Sequence, residues 1–277
     1  MRGRLLGLAL LFTWGCASRG EVDIATLASN SDQVIWEAGQ KAAEKRNWES
    51  ARQHFRRIID GFPQSNLGPA ARLALADSYL KEGGAANYIL AASAYREFLT
   101  FYPTHDRSAY AQFRVAESFH KQRNPPDRDQ TTTGEALAEY RRLLELYPSS
   151  PEAETARLRI ADCRNSLARA EFLVGLFYQR TRQAYRAAIL RFEELLTEYP
   201  DYRDLDQVLL HLSESLAAAG RPAEAIPYLA RLVAEYPNSP STPRAQSLLD
   251  ELRRQPPSPP PGPTPPPPPS PTPVASP

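Results

Sequence analysis

Two similar segments, EALAEYRRLLELYP at residues 135–148 and AAILRFEELLTEYP at residues 187–200, decide the fold of this chain. In each segment an alanine precedes an aromatic residue by four positions and a proline by twelve. These residues are Ala136, Tyr140 and Pro148 in the first segment and Ala188, Phe192 and Pro200 in the second. Both segments lie between Asp127 and Pro200, the stretch that contains one complete copy of the repeating unit.

The pattern recurs on both sides of that stretch. The other copies are Ala51/Phe55/Pro63, Ala91/Tyr95/Pro103 and Ala225/Leu229/Pro237, so four of the five copies have the aromatic residue and the last has leucine in its place. Successive prolines are 40, 45, 52 and 37 residues apart. This spacing resembles the roughly 34-residue tetratricopeptide repeat with insertions, in which a small residue lets two antiparallel helices approach and a proline ends the second helix. The sequence therefore predicts an all-α fold, a tetratricopeptide-repeat superhelical solenoid of about five helix pairs.

The N-terminus has the features of a secretory signal. Two arginines precede an apolar run from Leu5 to Phe12, and a glycine stands before Cys16. As a helix this run would span about 12 Å, well short of a hydrocarbon core of roughly 30 Å, so it is too short to cross a membrane. We expect a lipoprotein-type signal peptide at residues 1–15, lipidation of Cys16 and a tether over residues 16–30. The alternative is an ordinary signal peptide that contains a thiol.

The rest of the chain divides by composition. Residues 31–254 carry the repeats, and the helical pattern from Thr242 to Arg254 predicts a capping helix at their end. Residues 255–277 form a proline-rich tail, predicted to be disordered or polyproline II, in which 14 of the 22 residues from Pro256 to Pro277 are prolines. The tail is either a spacer or a ligand for an aromatic groove. Two prolines predict a long loop without helix over Asn124–Gly134.

Charge and motifs exclude several classes of function. The chain has a formal net charge of +1, and removing residues 1–15 leaves 31 basic and 32 acidic residues. A nucleic acid-binding protein normally has a clear basic excess, so we expect no nucleic acid partner. The four histidines lack metal-ligand spacing, and there is no phosphate-binding loop or nucleophile elbow. We therefore expect no enzyme activity, no metal site and no cofactor, and we expect Cys163 to be a core residue.

A tetratricopeptide solenoid binds its ligands on the concave face, which is lined by the first helix of each pair. Trp36, Tyr79 and Tyr110 lie on predicted first helices. They are candidates for a groove that accepts an unfolded strand with an aromatic terminus. The alternative is that these three side chains belong to the core between helices.

Several segments that a generic tetratricopeptide repeat does not require resemble the BamD family of outer-membrane protein assembly factors. They are DRDQT at 127–131, RNSLARAEF at 164–172, Phe177-Tyr178, and YRAAILRF at 185–192 followed by Tyr199-Pro200. The resemblance covers about residues 30–237. The run Gly-Cys-Ala-Ser also resembles a bacterial lipobox, and alanine rather than aspartate at position 17 is typical of outer-membrane sorting.

The resemblance implies a noncatalytic protein that is lipid-anchored in the outer membrane and faces the periplasm. It implies binding to the periplasmic POTRA domains of a BamA-like barrel protein and to unfolded outer-membrane proteins, with other assembly lipoproteins as further candidate partners. By this resemblance, Arg191 corresponds to the arginine that faces the BamA periplasmic domain in the family. A guanidinium at that position can form a bidentate pair with a carboxylate of the partner. The alternative for Arg191 is a solvated helix position.

One other function remains open from the residues. Periplasmic repeat lipoproteins that coordinate division or peptidoglycan synthesis share the repeat and the anchor. They lack the loop Asp127–Thr131, so the sequence favours the assembly function.

Overall fold

The computed structural model describes residues 31–254, which contain eleven α-helices, one π-helical turn and no strand. The helices are α1 (Asp32–Glu44), α2 (Trp48–Gly61), α3 (Gly68–Glu82), α4 (Ala85–Phe101), α5 (Ser108–His120), α6 (Thr131–Leu146), α7 (Ala153–Leu176), α8 (Tyr185–Glu198), α9 (Leu205–Ala218), α10 (Pro222–Glu235) and α11 (Thr242–Arg254). The π turn is Phe177–Thr181. The predictions for the signal peptide, Cys16, the tether and the proline-rich tail concern residues outside this description.

The repeat motif behaves as its spacing predicts. The five alanines of the motif are completely buried, and the residue four positions after each is at most 2% exposed. The residue before each motif proline has φ between −136° and −124° and ψ between 53° and 64°, so the helix has ended there. Proline disfavours the helical region for the residue before it, which explains these five shared helix ends. The prediction of an all-α, tetratricopeptide-repeat fold is confirmed.

The chain forms two compact units that divide between Lys121 and Gln122. The described part of the first unit contains α1 to α5, and each helix packs on the next. One core cluster is built around Phe55 and Ile58 of α2, and another around Tyr95 and Phe98 of α4. Gly39 of α1 is buried against α2, where an added Cβ would lie 2.7 Å from the Phe55 ring. The glycine therefore permits the close approach of α1 and α2.

The described part of the second unit contains α6 to α11, and again each helix packs on the next. One continuous cluster joins Phe172 of α7, Phe192 of α8, Leu209 of α9 and Leu249 of α11. Gly175 repeats the role of the buried glycine on α1, because an added Cβ would overlap the Phe192 ring. A glycine on the first helix thus faces the motif aromatic of the second helix in both units.

The structure corrects one loop boundary. The prediction that Asn124–Gly134 lacks helix is wrong at its end, because α6 begins at Thr131. The carboxylate of Asp129 accepts hydrogen bonds from the Thr131 backbone N–H, at 3.3 Å, and from its hydroxyl, at 2.8 Å. Asp129 thus satisfies a backbone donor of the first helical turn, and the helix starts directly after Gln130.

The longest helix ends in an unusual turn. The sequence predicts a helical segment of about 30 residues from Ser149 to Arg180, and α7 has 24 residues followed directly by the π turn. In that turn the Arg182 N–H donates to the Phe177 carbonyl at 3.2 Å, five positions back. Because a π turn contains one residue more than an α turn, it changes which side chains face the core. No helix within residues 31–254 is long and apolar enough to span a membrane.

Candidate functional site

A cavity of about 560 Å³ opens beside α1 and α3 in the first unit. Its lining side chains recur every three or four positions on each helix, so they share one helix face. On α1 they are Trp36, Gln40, Ala43 and Glu44, and on α3 they include Ala70, Leu73, Ala74, Asp77 and Lys81. The two first helices of successive pairs therefore present a common concave surface, which we call the aromatic pocket.

One wall of the aromatic pocket is aromatic. Trp36 packs on Phe55 with ring centroids 5.4 Å apart, and Trp48, at the first turn of α2, completes the wall. Both tryptophans are half-buried, so part of each indole is accessible. Alanines of α1 and α3 line the cavity between them and leave room for a ligand. The pocket can thus hold an apolar or aromatic group against two indole rings.

The rim of the aromatic pocket carries polar side chains without partners. In the described structure, the side chains of Gln40, Asn66 and Lys81 make no hydrogen bond or ion pair, although each can donate. Asp77, by contrast, accepts from the hydroxyls of Tyr95 and, at 2.8 Å, Tyr110. The pocket therefore offers free donors to carbonyl groups of a ligand.

Tyr79 does not reach the aromatic pocket. Its ring is 8% exposed and faces α2, where the guanidinium carbons of Arg52 and Arg56 lie 4.8 Å and 6.0 Å from the ring centroid. Arg56 also donates a hydrogen bond to the Tyr79 hydroxyl. Tyr79 is therefore buried between helices and held by cation–π contacts, which is the alternative to a position in the groove.

Tyr110 lies at a different cavity, of about 330 Å³, together with Arg114 and Lys121. Burial, and then the charge of Asp77, raise the pKa of the Tyr110 hydroxyl. The guanidinium of Arg107 lies 4.2 Å from the Tyr110 ring centroid. The structure therefore does not bring the three candidate aromatic residues together, and only Trp36 lines the aromatic pocket.

Sequence reasoning missed the second indole of this pocket, Trp48, and its unpaired polar side chains, Gln40, Asn66 and Lys81. Trp48, Gln40 and Asn66 belong to no motif of the repeat. The spacing of Trp36 and Gln40 by four positions was the available signal, because it places both on one helix face. Asn66 offered no such signal, since it lies in the turn before α3.

Arg191 lies on α8 with its side chain 43% exposed. Its Nη1 atom is 3.1 Å from the Glu194 carboxylate on the same helix and 4.0 Å from Glu171 on α7. Leu190, the residue before it, is 60% exposed. We call Arg191 and Leu190 the α8 surface. It combines an accessible guanidinium with an exposed apolar side chain of the same helix.

The loop DRDQT at 127–131 is built around Gln130. Its side-chain nitrogen donates to the carbonyls of Pro125, at 2.8 Å, and Arg128, at 3.1 Å. Its side-chain oxygen accepts from Thr133, at 2.9 Å, and from Ser166 of α7, at 3.4 Å. This glutamine therefore holds the loop in one conformation and ties it to the segment at 164–172.

The structure shows no site for metal chemistry in the region that it describes. Between residues 31 and 254 there is no group of three or more His, Cys, Asp or Glu side chains that could hold a metal ion. Cys163 is completely buried, and burial raises the pKa of its thiol to about 11. A protonated, buried thiol is a poor nucleophile and metal ligand.

Comparison with protein families decides the family of this chain. The model of the family described as YfiO, outer membrane lipoprotein, matches residues 28–225. The chain belongs to the YfiO family. This match includes the aromatic pocket, the DRDQT loop and the α8 surface, so all three are parts of the YfiO region.

Curated relatives of this YfiO-family chain carry the name outer membrane protein assembly factor BamD. The relative from Rickettsia prowazekii is 27% identical over 237 residues, which cover 85% of this chain and 90% of that one. The Vibrio cholerae relative is 29% identical over 71% of this chain and 82% of its own length. The Caulobacter vibrioides relative is 26% identical over 76% of this chain and 68% of its own length.

Proposed function

We propose that this protein is a noncatalytic scaffold and substrate-receptor subunit of the outer-membrane β-barrel assembly machinery. The observation that carries the proposal is the YfiO match over residues 28–225, together with relatives named as outer membrane protein assembly factors. A role in outer-membrane protein assembly follows from that membership. The aromatic pocket and the α8 surface suggest which part of the protein binds the substrate and which part binds the barrel protein.

The aromatic pocket is the proposed receptor for unfolded outer-membrane proteins. An unfolded strand has aromatic or aliphatic side chains and backbone carbonyls that lack partners. Trp36 and Trp48 line the pocket with apolar surface for such side chains, and Gln40 and Asn66 supply donors for the carbonyls. Because these groups project from α1, from α2 and from the turn before α3, they are held in place before the ligand arrives.

The α8 surface is the proposed contact with the periplasmic POTRA domains of a BamA-like barrel protein. An exposed ion pair within one helix contributes little stability, so Arg191 can exchange Glu194 for a carboxylate of a partner at small cost. The exposed side chain of Leu190, the residue before it, adds apolar area. Arginine is enriched at the centres of protein interfaces.

We further propose a lipid anchor at Cys16 that holds the protein in the outer membrane, facing the periplasm. The supporting observations are the signal-like sequence before Cys16 and the outer-membrane names of the family and its relatives. Multiple acyl chains give stable anchoring where a single chain is marginal. Other assembly lipoproteins are further proposed partners.

Photocrosslinking tests the receptor proposal. A benzophenone amino acid is placed at position 36, 79 or 110 of the full chain, and an unfolded barrel-protein segment with an aromatic C-terminus is added. We expect an adduct from position 36, because Trp36 lines the aromatic pocket, and none from position 79, because Tyr79 is covered by two arginines. Adducts from position 79 but not from position 36 would contradict the assignment of the pocket.

A further inference from the structure

We propose that the first unit has a second binding site, a cavity that accepts a carboxylate of the same peptide whose apolar side chain enters the aromatic pocket. This cavity is lined by Lys81, Arg114 and Lys121, and we call it the basic cavity. The carboxylate belongs either to an acidic side chain of the peptide or to its terminus. The inference deepens the proposed receptor function and rests on it.

The basic cavity adjoins the aromatic pocket. Its volume is about 330 Å³, and it lies within the first unit, as the aromatic pocket does. Asp77 and Lys81, which are four positions apart on α3, line both cavities. Because the cavities share these wall residues, a segment of a few residues, each about 3.4 Å long when extended, can contact both.

The cations of the basic cavity lack counter-ions. Arg114 lies on α5, and Lys121 follows seven positions later at the end of that helix, which places both on one helix face. Lys81 lies in the last turn of α3. Within residues 31–254 these three side chains form no ion pair, and the Nε atom of Arg114 is buried without a hydrogen-bond partner. The cavity therefore holds three positive charges that are available to an anion.

The two acidic side chains of the basic cavity already have partners. The Asp77 carboxylate accepts hydrogen bonds from the hydroxyl groups of Tyr95 and, at 2.8 Å, of Tyr110. Glu82 forms an ion pair with Arg52 of α2, which does not line the cavity. The lining thus has three positive and two negative charges, and one of the negative charges is balanced from outside. This excess of positive charge favours an anionic ligand.

The adjoining pocket identifies the anion as part of a peptide. A carboxylate accepts charge-assisted hydrogen bonds from an ammonium or a guanidinium group. Because Lys81 also lines the aromatic pocket, a ligand that fills both sites carries an apolar side chain close to a carboxylate. Trp36 and Trp48 supply the apolar wall for that side chain. A lipid phosphate would fill the basic cavity alone.

Peptide binding to the full-length protein, measured by calorimetry, tests the contribution of the carboxylate. The probe is a short acetylated peptide of alternating threonine and phenylalanine that ends in phenylalanine. It is made with a free terminal carboxylate, as a terminal amide, and as an amide with glutamate in place of the last threonine. At low ionic strength we expect one or both carboxylate forms to bind about fivefold or more tightly than the plain amide, and added salt to reduce the difference.

The lysines of the chain provide a matched control. Of the four, Lys81 and Lys121 line the basic cavity, whereas Lys41 and Lys45 line neither cavity. All four are exposed, so Lys81→Met/Lys121→Met and Lys41→Met/Lys45→Met remove the same charge outside the core, and a thermal melt checks that both fold. We expect the first variant to lose the preference for a carboxylate and the control to keep it. Equal affinity of the wild type for all three peptides, or a preference that Lys81→Met/Lys121→Met retains, would overturn the proposal.

The plain amide separates this inference from the proposed function, because it has no carboxylate and can use only the aromatic pocket. If the amide binds and the carboxylate forms bind no more tightly, the basic cavity fails as a carboxylate site and the receptor function stands. If only the carboxylate forms bind, and Lys81→Met/Lys121→Met abolishes that binding, the basic cavity stands and the aromatic pocket fails as a receptor. If no peptide binds, both fail. Binding of phosphatidylglycerol vesicles through Lys81 and Lys121, without a preference among the peptides, would assign the cavity to a lipid and overturn the proposal.

Discussion

Arg164 on α7 forms a two-point ion pair with Asp201, which lies in the turn after α8. The Nε atom of Arg164 is 3.0 Å from Oδ2 of Asp201, and Nη2 is 2.5 Å from Oδ1. The same Nη2 donates to the Glu198 carbonyl at 3.0 Å, and the guanidinium carbon lies 5.3 Å from the Tyr199 ring centroid. One arginine therefore fixes the end of α8, the helix that carries the α8 surface.

We expect Arg164→Lys to lower the free energy of unfolding by about 1 kcal/mol, because an ammonium group cannot make the two-point contact and also reach the carbonyl. Urea denaturation measures the change. Arg157→Lys is the matched control, since Arg157 is 53% exposed and pairs only with Glu154 in its own helix. The control should change stability by no more than about 0.5 kcal/mol. Equal losses in the two variants would contradict the role of Arg164.

The ion pair of Arg164 with Asp201 predicts that the stability of the fold depends on pH. Hydrogen bonds from Arg164 hold the pKa of Asp201 below its ordinary value of 3.8. A carboxyl group whose pKa is lower in the folded state stabilises the fold above its unfolded pKa, and this stabilisation is lost as pH falls through the folded pKa. We therefore expect Asp201→Asn to be less stable than the wild type at pH 7. The difference should shrink below about pH 4.

Urea midpoints measured from pH 7 down to the acid range check this expectation. Glu154→Gln is the control, because its exposed pair with Arg157 should add little at any pH. A deficit of Asp201→Asn that is the same at all pH values would show that Asp201 does not stabilise the fold through its charge.

The buried glycines predict a clear contrast in stability. Gly175→Ala places a methyl group into the Phe192 ring, which is completely buried and cannot move freely. We expect a loss of about 1–3 kcal/mol. Gly134→Ala in the first turn of α6 has open space around the added Cβ and should be neutral or stabilising by up to about 1 kcal/mol. Thermal unfolding compares them, and a stable Gly175→Ala protein would contradict the packing of α7 on α8.

Cys163 predicts a labelling experiment. Its thiol is completely buried, and burial raises its pKa to about 11, so the reactive thiolate is scarce at pH 8. In a Cys16→Ser protein, which has Cys163 as its single cysteine, we expect iodoacetamide to label the chain in denaturing urea and not in buffer. Rapid labelling of the native protein would show that this part of α7 opens readily.

The repeat fold could be predicted because each contact that defines it is local in sequence. The motif alanine, the aromatic residue four positions later and the proline eight positions after that act on one helix and its neighbour, so spacing alone identifies them. The buried alanine, the buried aromatic residue (leucine in the last copy) and the proline-terminated helix follow directly from that spacing. Cys163 was also placed correctly in the core, because it follows the apolar face of α7.

The binding surfaces could be predicted only in part. Trp36 and Tyr79 both lie on first helices, but the structure places one in the aromatic pocket and buries the other under Arg52 and Arg56 of α2. The side to which the Tyr79 ring turns depends on arginines more than 20 residues away, and the sequence pattern of one helix does not contain that information. The hydrogen bond between Gln130 and Ser166, 36 residues further along, illustrates the same point.

The most direct test of the assembly function is a native pulldown from solubilised outer membranes. Tagged wild-type protein is compared with Arg191→Glu and with the matched control Arg231→Glu, whose arginine is 42% exposed and pairs with Glu235 in its own helix. We predict that wild type and control recover a BamA-like barrel protein and that Arg191→Glu loses it. Recovery of division or wall-synthesis proteins without a barrel partner would contradict the proposed function, and undiminished recovery by Arg191→Glu would contradict the α8 surface.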